Sequence, residues 1–268
     1  MKKSMLIYIL LDMLWAHQPV MDMAPRWAGG WGFQFRYEML GSDKLLSAES
    51  NKSDLSYYRS TTWFEGVYTW KRSIRATFKL PYHKVKNETQ LIDGGDPIKR
   101  ERGLGDLVLA LPLKKYFNLK RSTGNFGITP QIRLKTGDDS NIIKSKGGYG
   151  LSTSYSSENF AYYQLYDIYG WSFEDGSSMV GLDVNLGWHP IHKNESNSGL
   201  FLMWDGTLQM KSDKDGNSDL RLFSGPIVVL YREGIMARID LKIPVSESVD
   251  KYGLSNGIII QTAIGFVF

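Results

Sequence analysis

The chain has 268 residues, no cysteine and a formal net charge of +4. These values exclude disulfides and thiol chemistry, and the charge is too small to point to nucleic acid. Hydrophobic residues make up 42% and mean hydropathy is -0.28; no apolar run reaches the ~18 residues that a membrane-spanning helix needs, while the 13% of aromatics and the 27 Gly suit many strands and tight turns.

The chain opens "MKKSMLIYILLDMLWAHQPV". Lys2 and Lys3 form a basic start, and Ser4 to Trp15 is mostly apolar but too short to span as a helix. Asp12 interrupts the run, and Leu14-Trp15-Ala16 fits the small-x-small cleavage rule poorly. The segment reads as an imperfect signal peptide over 1–16, in preference to a short buried helix. Residues 17–28 then form an N-terminal plug or cap on the periplasmic side, and 29–268 a barrel.

Strand signals follow in series. In "GGWGFQFRYEM", Trp31, Phe33, Phe35 and Tyr37 alternate with Gly32, Gln34, Arg36 and Glu38; a period of two is not a helix face. A second strand covers Tyr57 to Trp70, with Phe64, Tyr68 and Trp70 opposite Glu65. A third sets Ile74, Ala76, Phe78, Leu80 and Tyr82 against Arg75, Thr77 and Lys79. A fourth, "LGDLVLALPL", has Leu107, Leu109, Leu111 and Leu113 in register. A fifth sets Phe126, Ile128, Pro130, Ile132 and Leu134 against Gln131, Arg133 and Lys135. A sixth covers Tyr149 to Tyr155, and a seventh, "FAYYQLYDIYGWSF", is too aromatic for its facing to be read. The eighth places Val180, Leu182, Val184, Leu186 and Trp188 opposite Asp183 and Asn185; the ninth places Leu200, Leu202, Trp204, Leu208 and Met210 opposite Met203, Asp205, Thr207 and Gln209. A tenth lies around Leu220 to Tyr231, and an eleventh sets Ile235, Ala237, Ile239, Leu241 and Ile243 against Arg238, Asp240 and Lys242. The twelfth, "NGIIIQTAIGFVF", alternates large apolar Ile258, Ile260, Ile264, Phe266 and Phe268 with smaller or polar residues.

Long links are expected at 41–55, 83–102, 137–147, 211–219 and 246–255, and short turns at 70–72, 156–159 and 232–234. Long and short links fall mostly on opposite ends, as in outer-membrane barrels, with 114–123 as an exception. Roughly 20 residues per strand and its links suffices for a spanning strand of about 9–11. A soluble barrel shows the same period with its faces exchanged. Three features favour lipid on the apolar face: the export signal; tryptophans near strand ends (Trp31, Trp63, Trp70, Trp171, Trp188, Trp204) that would form interfacial girdles; and a terminal strand able to close the barrel. The expected fold class is therefore all-β, a closed antiparallel transmembrane barrel of about twelve strands in the bacterial outer membrane. Its lipid-facing band includes Leu107, Leu109, Leu182, Leu186, Ile239, Leu241 and Ile260. Phe268 would sit at the periplasmic interface as an assembly signal for the barrel insertion machinery.

The stretches "HQPVMDMAPRWAGGWGFQFRYE", "LPYHKVKNET", "GLGDLVLALPLKKYF", "TPQIRLKTGDD" and "LYREGIMARIDLKIPV" occur in this order over most of the chain. Together they resemble an outer-membrane transporter family associated with the meta-cleavage pathway of phenol degradation. The resemblance implies a barrel that passes small, often hydrophobic or aromatic molecules, with no catalytic residue to carry over.

On the polar face the expected lumen-lining residues are Arg36, Glu38, Glu65, Arg75, Lys79, Asp106, Arg133, Lys135, Asp183, Asp205, Arg238, Asp240 and Lys242. They serve either selectivity or structural pairing across a narrow bore. Lys79, Lys135 and Lys242 are expected toward the outer mouth, where they would draw in anions. His17, Met21 and Met23 are soft ligands without a further His or Cys, so a plug is the better reading than a metal site. "SDKDGNSD", Asp213 to Asp219, lacks the Gly position and the closing Glu of a calcium loop. "GLGD" lacks the Lys-Ser/Thr of a phosphate cradle. No cofactor is expected; the partners are the bilayer with lipopolysaccharide, the insertion machinery and a small solute. Two other readings stand beside a channel for hydrophobic solutes: a channel for nucleosides or acidic sugars, and a phospholipase-like barrel. For the latter, no His among His17, His83, His189 and His192 precedes a Ser by two residues on a strand.

Overall fold

The computed structural model describes residues 27–42, 45–47, 55–89, 98–119, 122–140, 143–159, 161–193, 196–249 and 252–268. The signal segment 1–16, and all of the 17–28 cap except Trp27 and Ala28, lie outside the described residues. The strands are β1 (Gly30–Ser42), β2 (Leu45–Ser47), β3 (Leu55–Lys71), β4 (Ile74–Thr89), β5 (Ile98–Leu104), β6 (Leu107–Ala110), β7 (Leu113–Asn118) and β8 (Thr123–Leu134). They continue as β9 (Gly148–Glu158), β10 (Tyr162–Phe173), β11 (Ser178–Lys193), β12 (Ser198–Ser212), β13 (Ser218–Arg232), β14 (Ile235–Val249), β15 (Tyr252–Leu254) and β16 (Ile259–Val267).

Fourteen of these form one antiparallel sheet in which strands successive in the sheet pair, β5, β6 and β7 each pair with β4, and β1 meets both β3 and β16. Since β5, β6 and β7 lie end to end beside β4, they count as one interrupted stave, and the sheet is a closed barrel of twelve staves. Closure runs from Gly32↔Val267 to Leu40↔Ile259. It is sealed at one end by reciprocal backbone bonds, Trp31 N to Phe268 O at 2.7 Å and Phe268 N to Trp31 O at 2.9 Å. An outward aromatic cluster covers this seam: Phe33 lies 5.8 Å from Phe268 and 5.9 Å from Phe64, and Phe35 lies 5.1 Å from Phe64. Antiparallel β2 and β15 join the links that leave β1 and β14.

The period-two pattern produces two faces. Leu109, Leu186, Ile239 and Ile264 are exposed on the outside, whereas Asp205, Ile227, Met236 and Asp240 are buried inside. Of the expected girdle tryptophans, Trp31, Trp70, Trp188 and Trp204 are exposed. Trp63 instead faces the bore, where the Arg36 guanidinium lies 4.9 Å over its ring. Trp171 also turns inward, its ring filling the space beside Gly150. For Trp63 the alternation with Phe64 already dictates this; a general preference of Trp for interfaces does not override pleat parity.

Several strands run longer than their apolar patterns. β4 continues through "HKVKNET" to Thr89, and β12 and β13 pair out to Ser212↔Ser218. A strand of 15 residues extends about 50 Å at ~3.3 Å per residue, more than a tilted crossing of the ~30 Å hydrocarbon core requires. The polar surplus therefore forms a paired collar beyond the bilayer. The expected long link at 211–219 shrinks to a tight turn with Gly216 at φ +85°. Asp213 Oδ1 accepts the Asp215 and Asn217 amides there, both at 2.9 Å. The apparent exception at 114–123 also resolves, since β7 occupies 113–118 and pairs with β8. His189 and His192 lie within β11 where its pairing with β12 slips between Trp188 and Ile191.

The fourth stave breaks twice. At Pro112 there is no N–H to donate, but its carbonyl still accepts Arg75 N at 3.1 Å. At Gly105–Asp106 the stave leaves β8, and the link 135–147 takes over the wall. Asp138 N donates to Leu104 O, and Leu104 N to Asp138 Oδ2, both at 2.8 Å. Asp106 anchors this link. It is buried and accepts Gly137 N at 3.0 Å, Lys146 N at 2.9 Å, Ser145 Oγ at 2.5 Å and Arg133 Nη2 at 2.8 Å.

Two outcomes follow from these contacts. Phe268→Ala removes an interfacial ring but no backbone bond, so it should slow assembly more than it weakens the finished barrel. Pulse-labelled heat-modifiable gel mobility should show delayed folding with an almost unchanged unfolding temperature; normal assembly kinetics would contradict this. Asp106→Asn keeps the shape but removes the charge that faces Arg133, and should cost roughly 2–4 kcal/mol. Proteolysis should then cut within 135–147 while the rest of the barrel stays resistant.

Candidate functional site: the charged bore

Closing an apolar-outside sheet forces the polar side chains of alternate positions into the interior. They surround a cavity of about 450 Å³. β1 contributes Gln34 and Arg36, β3 Glu65, β4 Arg75 and Lys79, and β7 Lys114. β10, β11 and β12 contribute Asp167, Asp183, Asn185 and Asp205, β14 Arg238 and Lys242, and β16 Gln261.

Most of the charges expected at the lumen are paired. Arg36 Nη2 meets Glu65 Oε1 at 2.7 Å, and Gln34 Nε2 donates to the other Glu65 oxygen at 2.9 Å. Glu38 takes Gln261 Nε2 at 2.8 Å and Arg59 Nη2 at 3.5 Å. Lys242 Nζ lies 3.0 Å from Asp205 and donates to Thr207 Oγ1 at 2.9 Å. Arg238 Nη2 meets Asp240 at 2.7 Å, and Arg75 Nη2 donates to Tyr116 Oη at 3.1 Å. Asp106 and Arg133 belong to the wall anchor described above. Lys79 and Lys242 line the cavity itself, whereas Lys135 lies just past the end of β8 and is exposed. The three lysines thus do not form one vestibule.

Residues that the sequence reading did not select complete the wall. Asp167 is the cross-strand partner of Asp183, and Asn185 that of Asp205. Asp167 is the one charged residue in its aromatic strand, and a lone mid-strand carboxylate marks the inward face even where apolar alternation fails. Lys114 was hidden because its segment reads as part of a link.

The two ends of the bore differ in chemistry. Toward one end, inward Phe201, Met203, Ile227, Val229, Tyr231 and Met236 form an apolar cluster, with Ile227, Val229 and Met236 at 0% exposure. The expectation that the inner face is polar therefore fails in "GPIVVLYR", which is apolar on both sides. Its polar atoms are bridged locally: Tyr231 Oη bonds His189 Nε2 and His192 Nδ1, each at 2.9 Å, and His189 stacks on Phe201 at 3.9 Å. Toward the other end, inward Tyr169, Trp171 and Phe173 each cover a cross-strand glycine, Gly181, Gly150 and Gly148. Lys146 Nζ lies 4.3 Å over the Phe173 ring and 3.4 Å from Asp175 in the β10–β11 turn. Ser177 holds the Asp175 carboxyl down to about 2 through its hydroxyl and backbone N–H.

The remaining described histidine, His83, bonds Thr61 Oγ1 at 3.0 Å, and Thr61 is fully buried. Among the described residues no cluster of three His, Cys, Asp or Glu has metal-binding geometry.

No family model matches the chain, and no curated protein matches it in sequence. In fold it is similar to an outer membrane channel from Pseudomonas putida F1, with a TM-score of 0.65 and 12% identity over 90% of this chain and 96% of that one. It also aligns with the beta domain of the Bordetella autotransporter Brka, with a TM-score of 0.48 and 11% identity over 90% of this chain and 100% of that one. The first likeness is one of fold across nearly the full length of both chains. With the closed twelve-stave sheet and its apolar exterior, it makes the architecture that of a bacterial outer-membrane barrel.

Proposed function

We propose that the chain is a passive channel of the bacterial outer membrane for small solutes, exported by residues 1–16 and capped on the periplasmic side by 17–28. The observation that carries this reading is a charged cavity of about 450 Å³ inside a closed, lipid-compatible wall. The Pseudomonas protein of similar fold is itself named an outer membrane channel. Charged side chains that merely filled the barrel would leave no such space. The resemblance to the phenol-pathway transporters favours a hydrophobic or aromatic solute, and the inner rings of Tyr169, Trp171 and Phe173 offer it apolar surface. The ion pairs around the cavity favour a solute that also carries polar or charged groups, as a nucleoside or acidic sugar would. For the hydrolase reading, His83 faces a buried threonine hydroxyl, which offers no accessible nucleophile.

Conductance of the purified protein in a planar bilayer tests the channel; its absence, together with fatty acid released from added phospholipid, would favour the hydrolase. Selectivity tests the bore. Lys79 lines the cavity, and Lys135 is exposed just past the end of β8. Lys79→Gln should lower the anion-to-cation permeability ratio roughly two- to threefold in a salt gradient, because a charge in a low-dielectric constriction acts more strongly than one in water. Lys135→Gln should have a smaller effect that vanishes at high ionic strength. An unmoved reversal potential for Lys79→Gln would remove that residue from the conduction path.

A further inference from the structure

The charges around the cavity are not evenly cancelled. Arg36, Lys242 and Arg238 each meet a carboxylate directly, from Glu65, Asp205 and Asp240 respectively. Asp167, Asp183 and Lys79 form no direct ion pair among the described residues. Asp167 and Asp183 stand opposite each other across β10 and β11. Like charges in that position destabilise a sheet unless a cation or donor satisfies them. Among the described residues, the hydrogen bonds they accept come from the Ser152 and Thr207 side chains. Asp183 Oδ1 is buried without a partner, and so is Oδ1 of the neighbouring Asn185, a residue only 4% exposed that also lines the cavity.

On the facing wall stands Lys79 of β4, cross-strand from a Glu65 that Arg36 already neutralises, with Arg75 on the same strand and Lys114 on β7 adding positive potential. In the ring of twelve staves β4 lies four from β10 and five from β11, close to diametrically opposite. Lys79, Asp167 and Asp183 line one and the same cavity, so the Lys79 charge faces both carboxyls across it. Lys242, already bound to Asp205, also acts on Asp183 and limits the excess negative charge on that side without removing it.

The geometry points to a transverse binding site for small zwitterions, with a solute ammonium on Asp167, Asp183 and the Asn185 carbonyl, and its anionic group toward Lys79. This assignment rests on the channel reading and gives it a solute class. An ammonium supplies the donors that the Asp183 and Asn185 oxygens lack, and a carboxylate offers Lys79 a partner besides its cross-strand neighbour Glu65, which Arg36 and Gln34 already hold. A neutral solute can donate hydrogen bonds but brings no charge to either wall, and a simple ion satisfies one wall while being repelled by the other. A cavity of about 450 Å³ falls within the ~300–1,000 Å³ typical of small-molecule sites.

The test is liposome swelling with three solutes of nearly equal size: alanine, its neutral isomer lactamide, and lactate. The wild-type protein should pass alanine faster than lactamide by on the order of tenfold. Asp167→Asn with Asp183→Asn should bring alanine down to the lactamide rate while leaving lactamide unchanged, and Lys79→Gln should do the same from the other wall. Asp183→Glu should keep much of the preference that Asp183→Asn loses, which a merely structural role would not do. Heat-modifiable mobility of each variant establishes that it is folded. Equal wild-type rates for alanine and lactamide, with normal ionic conductance, overturn the zwitterion site and leave the channel standing. Variants that slow all three solutes alike overturn it too. Absence of both swelling and conductance overturns the channel reading and the site with it.

Discussion

Inside a bilayer no backbone N–H or C=O finds water, and everything in this fold answers to that requirement. An open sheet would leave two edges unpaired at several kcal/mol per group. The chain removes them by pairing β1 with β16 over the ladder from Gly32↔Val267 to Leu40↔Ile259. The final bonds, between Trp31 and Phe268, are backbone to backbone, while the rings of the same region gather on the lipid side. The same requirement explains the fourth stave. Where Gly105–Asp106 leaves the ladder, Asp138 and the buried Asp106 supply the missing partners, so the break is repaired by side chains and link backbone.

Closure then decides where charge resides. An apolar outer face leaves the interior as the only place for the alternate residues, and a charge in a constricted, poorly solvated space must be paired or must serve a ligand. Arg36–Glu65, Lys242–Asp205 and Arg238–Asp240 are of the first kind; they fix the wall and contribute little net field. What remains after this cancellation determines the bore's character: the cross-strand Asp167 and Asp183 on one side and Lys79 on the other. A list of lumen charges is therefore a poor guide to selectivity until the pairs have been subtracted.

The barrel, its closure and the facing of most strands are legible in the sequence, because lipid outside and polar groups inside impose strict period-two alternation. The reading fails where that contrast is lost. In "FAYYQLYDIYGWSF" both faces carry aromatics, since Tyr169, Trp171 and Phe173 turn inward over glycines that only the register brings opposite them. In β13 both faces are apolar, since the interior there is the Ile227–Val229–Met236 cluster and not a polar lining. Strand ends were read too short because the collar above the bilayer has no apolar face to register. For the candidate site, residue types and facing can be read, but pairing cannot. Nothing local in the sequence shows that Lys242 reaches Asp205 on β12, or that Glu65 pairs with Arg36 although Lys79 stands opposite it, since such choices depend on which side chains the closed ring brings near each other.

The order of chemistry along the bore bears on how a channel of this shape would work. Conduction requires attraction strong enough to draw a solute in and weak enough to release it. In the proposed channel the charged middle section would supply the attraction, with opposed walls that would orient a dipole across the path. The apolar cluster beyond it offers a charged group almost nothing, apart from the hydroxyl of Tyr231 and the imidazoles of His189 and His192, which are already bonded to one another. A solute held in the middle of the proposed channel would meet its barrier at the apolar end, where a bare charge would lose solvation without gaining a partner. Neutralising that charge internally lowers the barrier. Of solutes similar in size, one whose two charges offset each other crosses such a section at less cost than one carrying a single net charge, so the apolar end and the opposed walls favour the same class of molecule.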